Sequence, residues 1–303
     1  MKLPGLIVCV LIAGVLLMQP QTATRADDSE GYAPPARIAL LDSKQVDESS
    51  GLAASRRNPG LFWTHNDGND GQIFLFDRKG AIAGSWRLPR LPLWDIEDMS
   101  LGPCQGRPCL YLGDIGDNRR QREAIAVYRV PEPKPGENLG AVETFRLRYP
   151  DGAHDAEALL VHPVTGDVYI VTKARGEDSE TLVFKAKAPL RHEGVTTLQR
   201  VASLRFPDES AITLILGRVT GGDISPDGRR VILCDYFRGW EYRLSARASF
   251  DEIWSTTPVA VPLGDRRQGE GVAYSLDSKA ILATSEGLPM PLWEIVRRGH
   301  SGE

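Results

Sequence analysis

The chain has 303 residues, with 40 acids against 36 lysines and arginines and a formal net charge of −4 at pH 7. That balance argues against nucleic acid or an anionic membrane surface as the partner. The length suits one large all-β domain, and no Pro- or Ser-rich linker longer than "PEPKPGE" at 131–137 divides it.

Residues 1–26 read as a secretory leader. Lys2 supplies the basic start, "GLIVCVLIAGVLLM" at 5–18 the apolar run, and "TATRA" ending at Ala26 the small residues of a cleavage site. The run is shorter than the roughly 20 residues of a spanning helix, and Cys9 lies inside it, which speaks against a lipoprotein. Export with a cleaved leader is the expectation, leaving residues 27–303 as a single domain, monomeric and without a membrane span.

From residue 37 onward, short alternating apolar runs bounded by Gly, Pro, Asp and Asn replace any 3.6-residue pattern, so the chain reads as nearly all β. Five blocks repeat: "ESSGLAAS" (48–55), "DIEDMSLG" (95–102), "DAEALLVH" (155–162), "TGGDISPD" (220–227) and "QGEGVAYS" (268–275). Their apolar members align at Leu52, Met99, Leu159, Ile224 and Val272, at the period of a propeller blade before insertions. Each block leads into a second, a third and usually a fourth strand, so the sequence predicts a five-bladed β-propeller of four-stranded antiparallel blades. The strand "RIALLDS" (37–43) is expected to complete the last blade beside "LWEIV" and close the ring. A six-bladed ring is the alternative, with "PDESAITLILGRV" (207–219) as an insertion or a degenerate strand pair. "CQGRPC" at 104–109 is spaced to close a hairpin disulfide, and Cys234, in "VILCDYF", reads as a buried thiol.

In such a blade the first strand lines the channel, and the end of the second returns beside the start of the first. First-strand starts supply Glu48, Asp95, Glu97, Asp98, Asp155, Glu157, Asp223 and Glu270; second-strand ends supply His65, Asn66, Asp67, Asp114, Lys173, Asp235 and Glu286. Topology thus brings residues of five repeats to one mouth. Alternation puts Ser50, Glu97, Glu157 and Glu270 in an inner ring with Glu48 above it. Carboxylates so crowded take up protons or bind a cation. The metal set read from the sequence is Glu48, Glu97, Asp98, Asp114, Glu157, Asp223 and Glu270, with Ca²⁺ the first candidate and Mg²⁺ the second.

The same acids also suit a structural role, accepting backbone N–H groups of the next blade, and "HNDGNDGQ" (65–72) suits a Gly-assisted turn. His65 and Asp67 are the candidates for proton transfer, although His65 suits a packed ring equally. Asn66, Lys173, Arg119 and Glu286 are the candidate substrate contacts. Lys173 also suits pairing with Glu157, and the Arg119, Arg120 and Arg122 loop suits plain solvation. His154 and His162 lack zinc-ligand spacing, and no G-x-S-x-G elbow is present.

The blocks "ESSGLAASRRNPGLFWTHNDGND", "DIEDMSLGP", "YLGDIGDNRRQREAIAVYRVPEP", "DAEALLVHPVTGDVYIVTK", "TGGDISPDGRRVIL" and "GEGVAYS" resemble, in this order, a family of exported bacterial β-propellers carrying HNDG and GDIGDN blocks. More distantly the chain is similar to phytase-like and esterase-like propellers. That likeness implies calcium-dependent phosphoester chemistry at the acidic strand starts, although basic residues for a polyphosphate are few beyond Lys173 and the arginine loop. Two functions are therefore carried forward: a Ca²⁺-dependent hydrolase of phosphoesters or related esters, and a non-catalytic propeller binding a small molecule, glycan, peptide or envelope protein at the same mouth.

Overall fold

The computed structural model describes residues 31–175, 180–207 and 216–298. The expected leader at 1–26 and most of the 207–219 segment lie outside the described residues. The described chain forms five antiparallel sheets in a ring, a five-bladed β-propeller.

Blade 1 contains β2 (Ser49–Ala54), β3 (Leu61–Asn66), β4 (Gln72–Asp77) and β5 (Ile82–Arg87). Blade 2 contains β6 (Ile96–Cys104), β7 (Arg107–Asp114), β8 (Ile125–Pro131) and β9 (Glu143–Arg148), and gains a short parallel edge, β13 (Thr196–Thr197), against β9. Blade 3 contains β10 (Ala156–Val161), β11 (Val168–Thr172), β12 (Thr181–Ala186) and β14 (Gln199–Leu204). Blade 4 contains β15 (Gly221–Ile224), β16 (Arg230–Cys234), β17 (Arg238–Arg243) and β18 (Val259–Pro262), with a 3₁₀ helix at Phe250–Ser255 before its last strand. Blade 5 takes β19 (Val272–Tyr274), β20 (Ala280–Ala283) and β21 (Met290–Val296) from the end of the chain. Its outer strand is β1 (Ala36–Leu41), antiparallel to β21, so the expected closure by the amino-terminal strand is present.

Stability resides between the blades. The buried apolar side chains fall into five clusters, one for each interface between neighbouring sheets. Trp63, Met99 and Tyr128 pack blade 1 on blade 2, for example, while Leu41, Phe74 and Leu292 join blade 1 to blade 5 across the closure. Each fully buried Leu, Phe or Met contributes about 1.5–3 kcal/mol. Alternating strands supply these residues because each sheet presents one apolar set to each neighbour. Cys104 and Cys109 form a disulfide across the β6–β7 turn, and Cys234 is a buried free thiol.

The hairpins correct the repeat alignment in one blade. The N–H groups of Ser55, His162, Ser225 and Ser275 donate to the first paired carbonyl of the returning strand. Counting back from these matched residues sets Gly222, rather than Ile224, level with Leu52, Leu159 and Val272. The inner ring is therefore Ser50, Glu97, Glu157, Thr220 and Glu270, and Asp223 lies three residues below Thr220 on its strand.

Candidate metal centre

The first strands meet so closely at the axis that side chains are excluded at several points. A Cβ at Gly51 would overlap the Met99 amide and the His65 ring, and one at Gly221 would overlap the Glu270 carbonyl. Asp98 occupies the same level of blade 2. Its Oδ1 accepts the Met99 N–H at 2.7 Å, and its Oδ2 accepts those of Leu159 at 2.9 Å and Gly222 at 3.4 Å. One carboxylate thus ties together blades 2, 3 and 4 beneath the mouth. Burial pushes its proton affinity up, while these three N–H groups oppose that.

Above this level the ladders of blades 1, 2 and 3 are interrupted. Ile96 pairs with Asp114 but Asp98 with Gly113, and Ala156 pairs with Thr172 but Ala158 with Val171, so Glu97 and Glu157 are the extra residues of two β-bulges. A bulge bends its strand and re-aims a side chain. Here it turns both glutamates toward the mouth, where two groups of carboxylates form: Asp67, Asp95 and Glu97, and Glu97, Asp155 and Glu157. Within each group a ligand oxygen from every member lies within 4.8 Å of the others. Gly116 makes room for them, since a Cβ there would collide with the Glu97 and Asp95 carboxylates.

The two groups differ in how their charge is balanced. Lys173 Nζ donates to Glu157 and, at 3.0 Å, to the Tyr236 hydroxyl. Arg175 Nη1 reaches Asp155 Oδ2 at 2.9 Å, and the Asp117 N–H donates to Asp155 Oδ1. Even with this help, burial lifts Glu157 to about 8, against the pull of Lys173 and with that of Glu270. Lys173 keeps its charge: burial works against it, but Glu157 and Tyr236 more than offset the cost. In the other group no described Lys or Arg side chain forms an ion pair with Asp67, Asp95 or Glu97. Burial raises Glu97 well above the carboxylate range, with Glu157, Asp67 and Asp95 adding to it; burial and then Asp67 raise Asp95. Asp67 Oδ1 is buried without a hydrogen-bond partner. An oxygen-only set of acids with an orphaned oxygen fits a hard divalent cation such as Ca²⁺ or Mg²⁺.

No protein-family model matches this chain, and no curated protein does. The site therefore rests on its own geometry. The remaining sequence candidates divide by what their atoms touch. Glu270 is buried beside Glu286, and Gln268 Nε2 donates to both; burial and then Glu286 raise Glu270 well above its usual range. Glu48 is exposed, its N–H directed to Asn66 Oδ1 at 3.4 Å, while Asn66 Nδ2 donates to the Gln45 carbonyl.

Asp114 and Asp223 are spent on the fold. Asp114 accepts the Trp94 and Asp95 N–H groups, both at 3.0 Å, and pairs with Arg122 at 2.8 Å. It thereby fixes the loop that carries Asp95. Asp223 accepts the Ile224 and Tyr274 N–H groups, both at 2.8 Å, joining blade 4 to blade 5. Arg119 is exposed on its loop. His65 is almost wholly buried: its Nδ1 donates to the Asn66 carbonyl at 2.8 Å and its Nε2 accepts the Gly51 N–H at 3.1 Å. Burial holds the ring neutral.

Asp95 and Asp155 were legible as strand-start acids but not as members of the cluster. The bulges that bring the glutamates to them leave no mark in the spacing of the motif.

Proposed function

We propose that the mouth of this exported propeller holds a divalent cation, Ca²⁺ in the first place, between Asp67, Asp95 and Glu97, with Asp155 and Glu157 adjoining. The observation that carries the reading is the trio of acids without an ion pair, with its orphaned Asp67 oxygen. When bound, such an ion neutralises the acids and acidifies a water molecule, the chemistry of metal-assisted hydrolysis. Hydrolysis of a phosphoester or related ester is the activity this arrangement supports best. Lys173 and Arg175 lie on the blade 3 side of the cluster and supply positive charge to an anionic substrate. Asp67 is only half-buried and is the carboxylate from which a proton can pass to solvent.

His65 has a different part in this reading: both of its nitrogens serve backbone groups, so it holds β2 against β3 rather than moving the substrate's proton. That commitment, together with the exposed Trp94 and Phe237 at loops of the same face, favours a second reading, in which the ion stiffens a mouth that binds a glycan or peptide without chemistry. Metal content of the purified protein, with melting in chelator and in Ca²⁺, tests the centre. Absence of metal together with an unchanged melting temperature would remove both readings. If the ion binds, a panel of phosphoesters and carboxylic esters separates them, since turnover abolished by Glu97→Gln belongs to the hydrolase alone.

A further inference from the structure

The face opposite the mouth carries a second polar cavity, of about 650 Å³, between the β15–β16 and β19–β20 turns. Four cations line it: Arg230, Lys279, Arg297 and Arg298. Two acids, Asp227 and Asp277, face it as well, but both are engaged by their own turns. Asp227 Oδ1 accepts the Ser225 hydroxyl and the Arg229 N–H, and Asp277 Oδ1 accepts the Ser275 hydroxyl and the Lys279 N–H. The turns "SPDGR" (225–229) and "SLDSK" (275–279) are thus two copies of one device, with Ser Oγ also accepting the N–H of Arg230 in one and Ala280 in the other. Arg230 therefore stands where the sister blade has an alanine.

That arginine is incompletely matched. Its Nη2 reaches Asp227 only at 3.4 Å, and its Nη1 is buried with no hydrogen-bond partner. Glu241, the nearby buried acid, is already held by Arg243 at 2.7 Å and by the Tyr32 and Tyr274 hydroxyls. Arg230 lines the cavity with the part of its side chain that remains exposed, and an oxyanion there would supply the acceptors that the long Asp227 contact does not.

We propose that this cavity binds a phosphate group. Arg230 would be the inner anchor, and Lys279, Arg297 and Arg298 the outer contacts. Such a group arrives free in solution or on a lipid headgroup. The exposed Leu276 and Val296 beside the cations place apolar surface on this same face.

The experiment uses the mature protein in chelator, so that no metal at the mouth contributes. Inorganic phosphate is titrated calorimetrically, and sedimentation is measured with neutral phosphatidylcholine vesicles and with vesicles containing phosphatidylglycerol. Saturable phosphate binding, weakened at least tenfold by Arg297→Gln/Arg298→Gln, is the expected result. Sedimentation with the anionic vesicles alone, lost in the same double variant, identifies the headgroup as the source; phosphate binding without it identifies the free anion. Arg230→Gln should abolish either response, and the double variant, which alters only exposed side chains, keeps the test valid if Arg230→Gln fails to fold. Binding of neither probe, or binding indifferent to the double variant, overturns the proposal.

Discussion

Replacing Glu97 by glutamine should move stability and metal binding in opposite directions. Glu97 belongs to both acidic groups, and its ligand oxygens lie within 4.8 Å of those of its partners. Two unit charges at that separation repel by about 3.5 kcal/mol at an effective dielectric constant of about 20. Proton uptake relieves part of the strain, because burial and the neighbouring acids already raise Glu97 well above its ordinary range. The relief expected from a neutral side chain of the same shape is therefore smaller, about 1–2 kcal/mol near pH 7.

At about 2–4 °C per kcal/mol for a domain of this size, the variant should melt roughly 2–8 °C higher than the parent in chelator. In Ca²⁺ the order reverses, because one full charge has left the ligand set and affinity should fall by on the order of 100-fold. Calorimetric melting in chelator and in Ca²⁺, with a Ca²⁺ titration of both proteins, measures the two effects. A variant that melts lower in chelator, or that keeps the parent's Ca²⁺ response, would refute the argument that these acids are held together against their own repulsion.

Acidity supplies a related test. Glu97, Asp95 and Glu157 hold protons more tightly in the folded state than ordinary carboxylates do. Their contribution to stability is present below the unfolded carboxylate range and lost as pH rises through the folded values, which for Glu157 means about 8. In chelator the unfolding free energy, and with it the melting temperature, should fall between roughly pH 5 and 8, the former by at most about 1.4 kcal/mol per pH unit for each group, and Ca²⁺ should flatten the profile; a rise across that window contradicts the assignment. Asp98→Ala strands three buried N–H groups and should cost about 3 kcal/mol or more, equally with and without Ca²⁺, in denaturant titration. Lys173→Met leaves buried Glu157 only the Arg175 contact at 3.9 Å and should cost up to about 3 kcal/mol in chelator and visibly less in Ca²⁺. Cys104→Ser/Cys109→Ser opens only a short hairpin loop, so its cost should stay near 2 kcal/mol.

The blade count was readable because a propeller repeats its constraints. Five acid-rich strand starts, each followed by runs of alternating apolar residues, admit few other arrangements, and the leftover strand at the amino terminus matched the missing outer strand of blade 5. What went astray was local. In "TGGDISPD" the eye aligns Ile224 with the apolar members of the other blocks, but the Ser225 hairpin sets Gly222 at that level. The two-residue slip set Asp223 level with Asp98 and drew it into the metal set, when it is a clasp between blades 4 and 5. It also hid Thr220, whose hydroxyl donates to the Gly269 carbonyl at 2.7 Å.

The division of the acids into clasps and cluster follows from backbone supply, which no residue count reveals. Asp98, Asp114 and Asp223 meet N–H groups of strands or loops that lack a partner of their own, and each such carboxylate is consumed in holding the ring together. Glu97 and Glu157 project from bulges, where the ladder has already skipped them, so no strand offers them N–H donors. Asp67 and Asp95 are joined to them because Gly68 bonds to Ile96, stitching the blade 1 turn to the start of β6. The acids left over from building the propeller are thus the ones gathered at its mouth. A charged residue that the fold does not satisfy must be satisfied by something else, and for this cluster the proposed divalent cation would compete with a proton for that place.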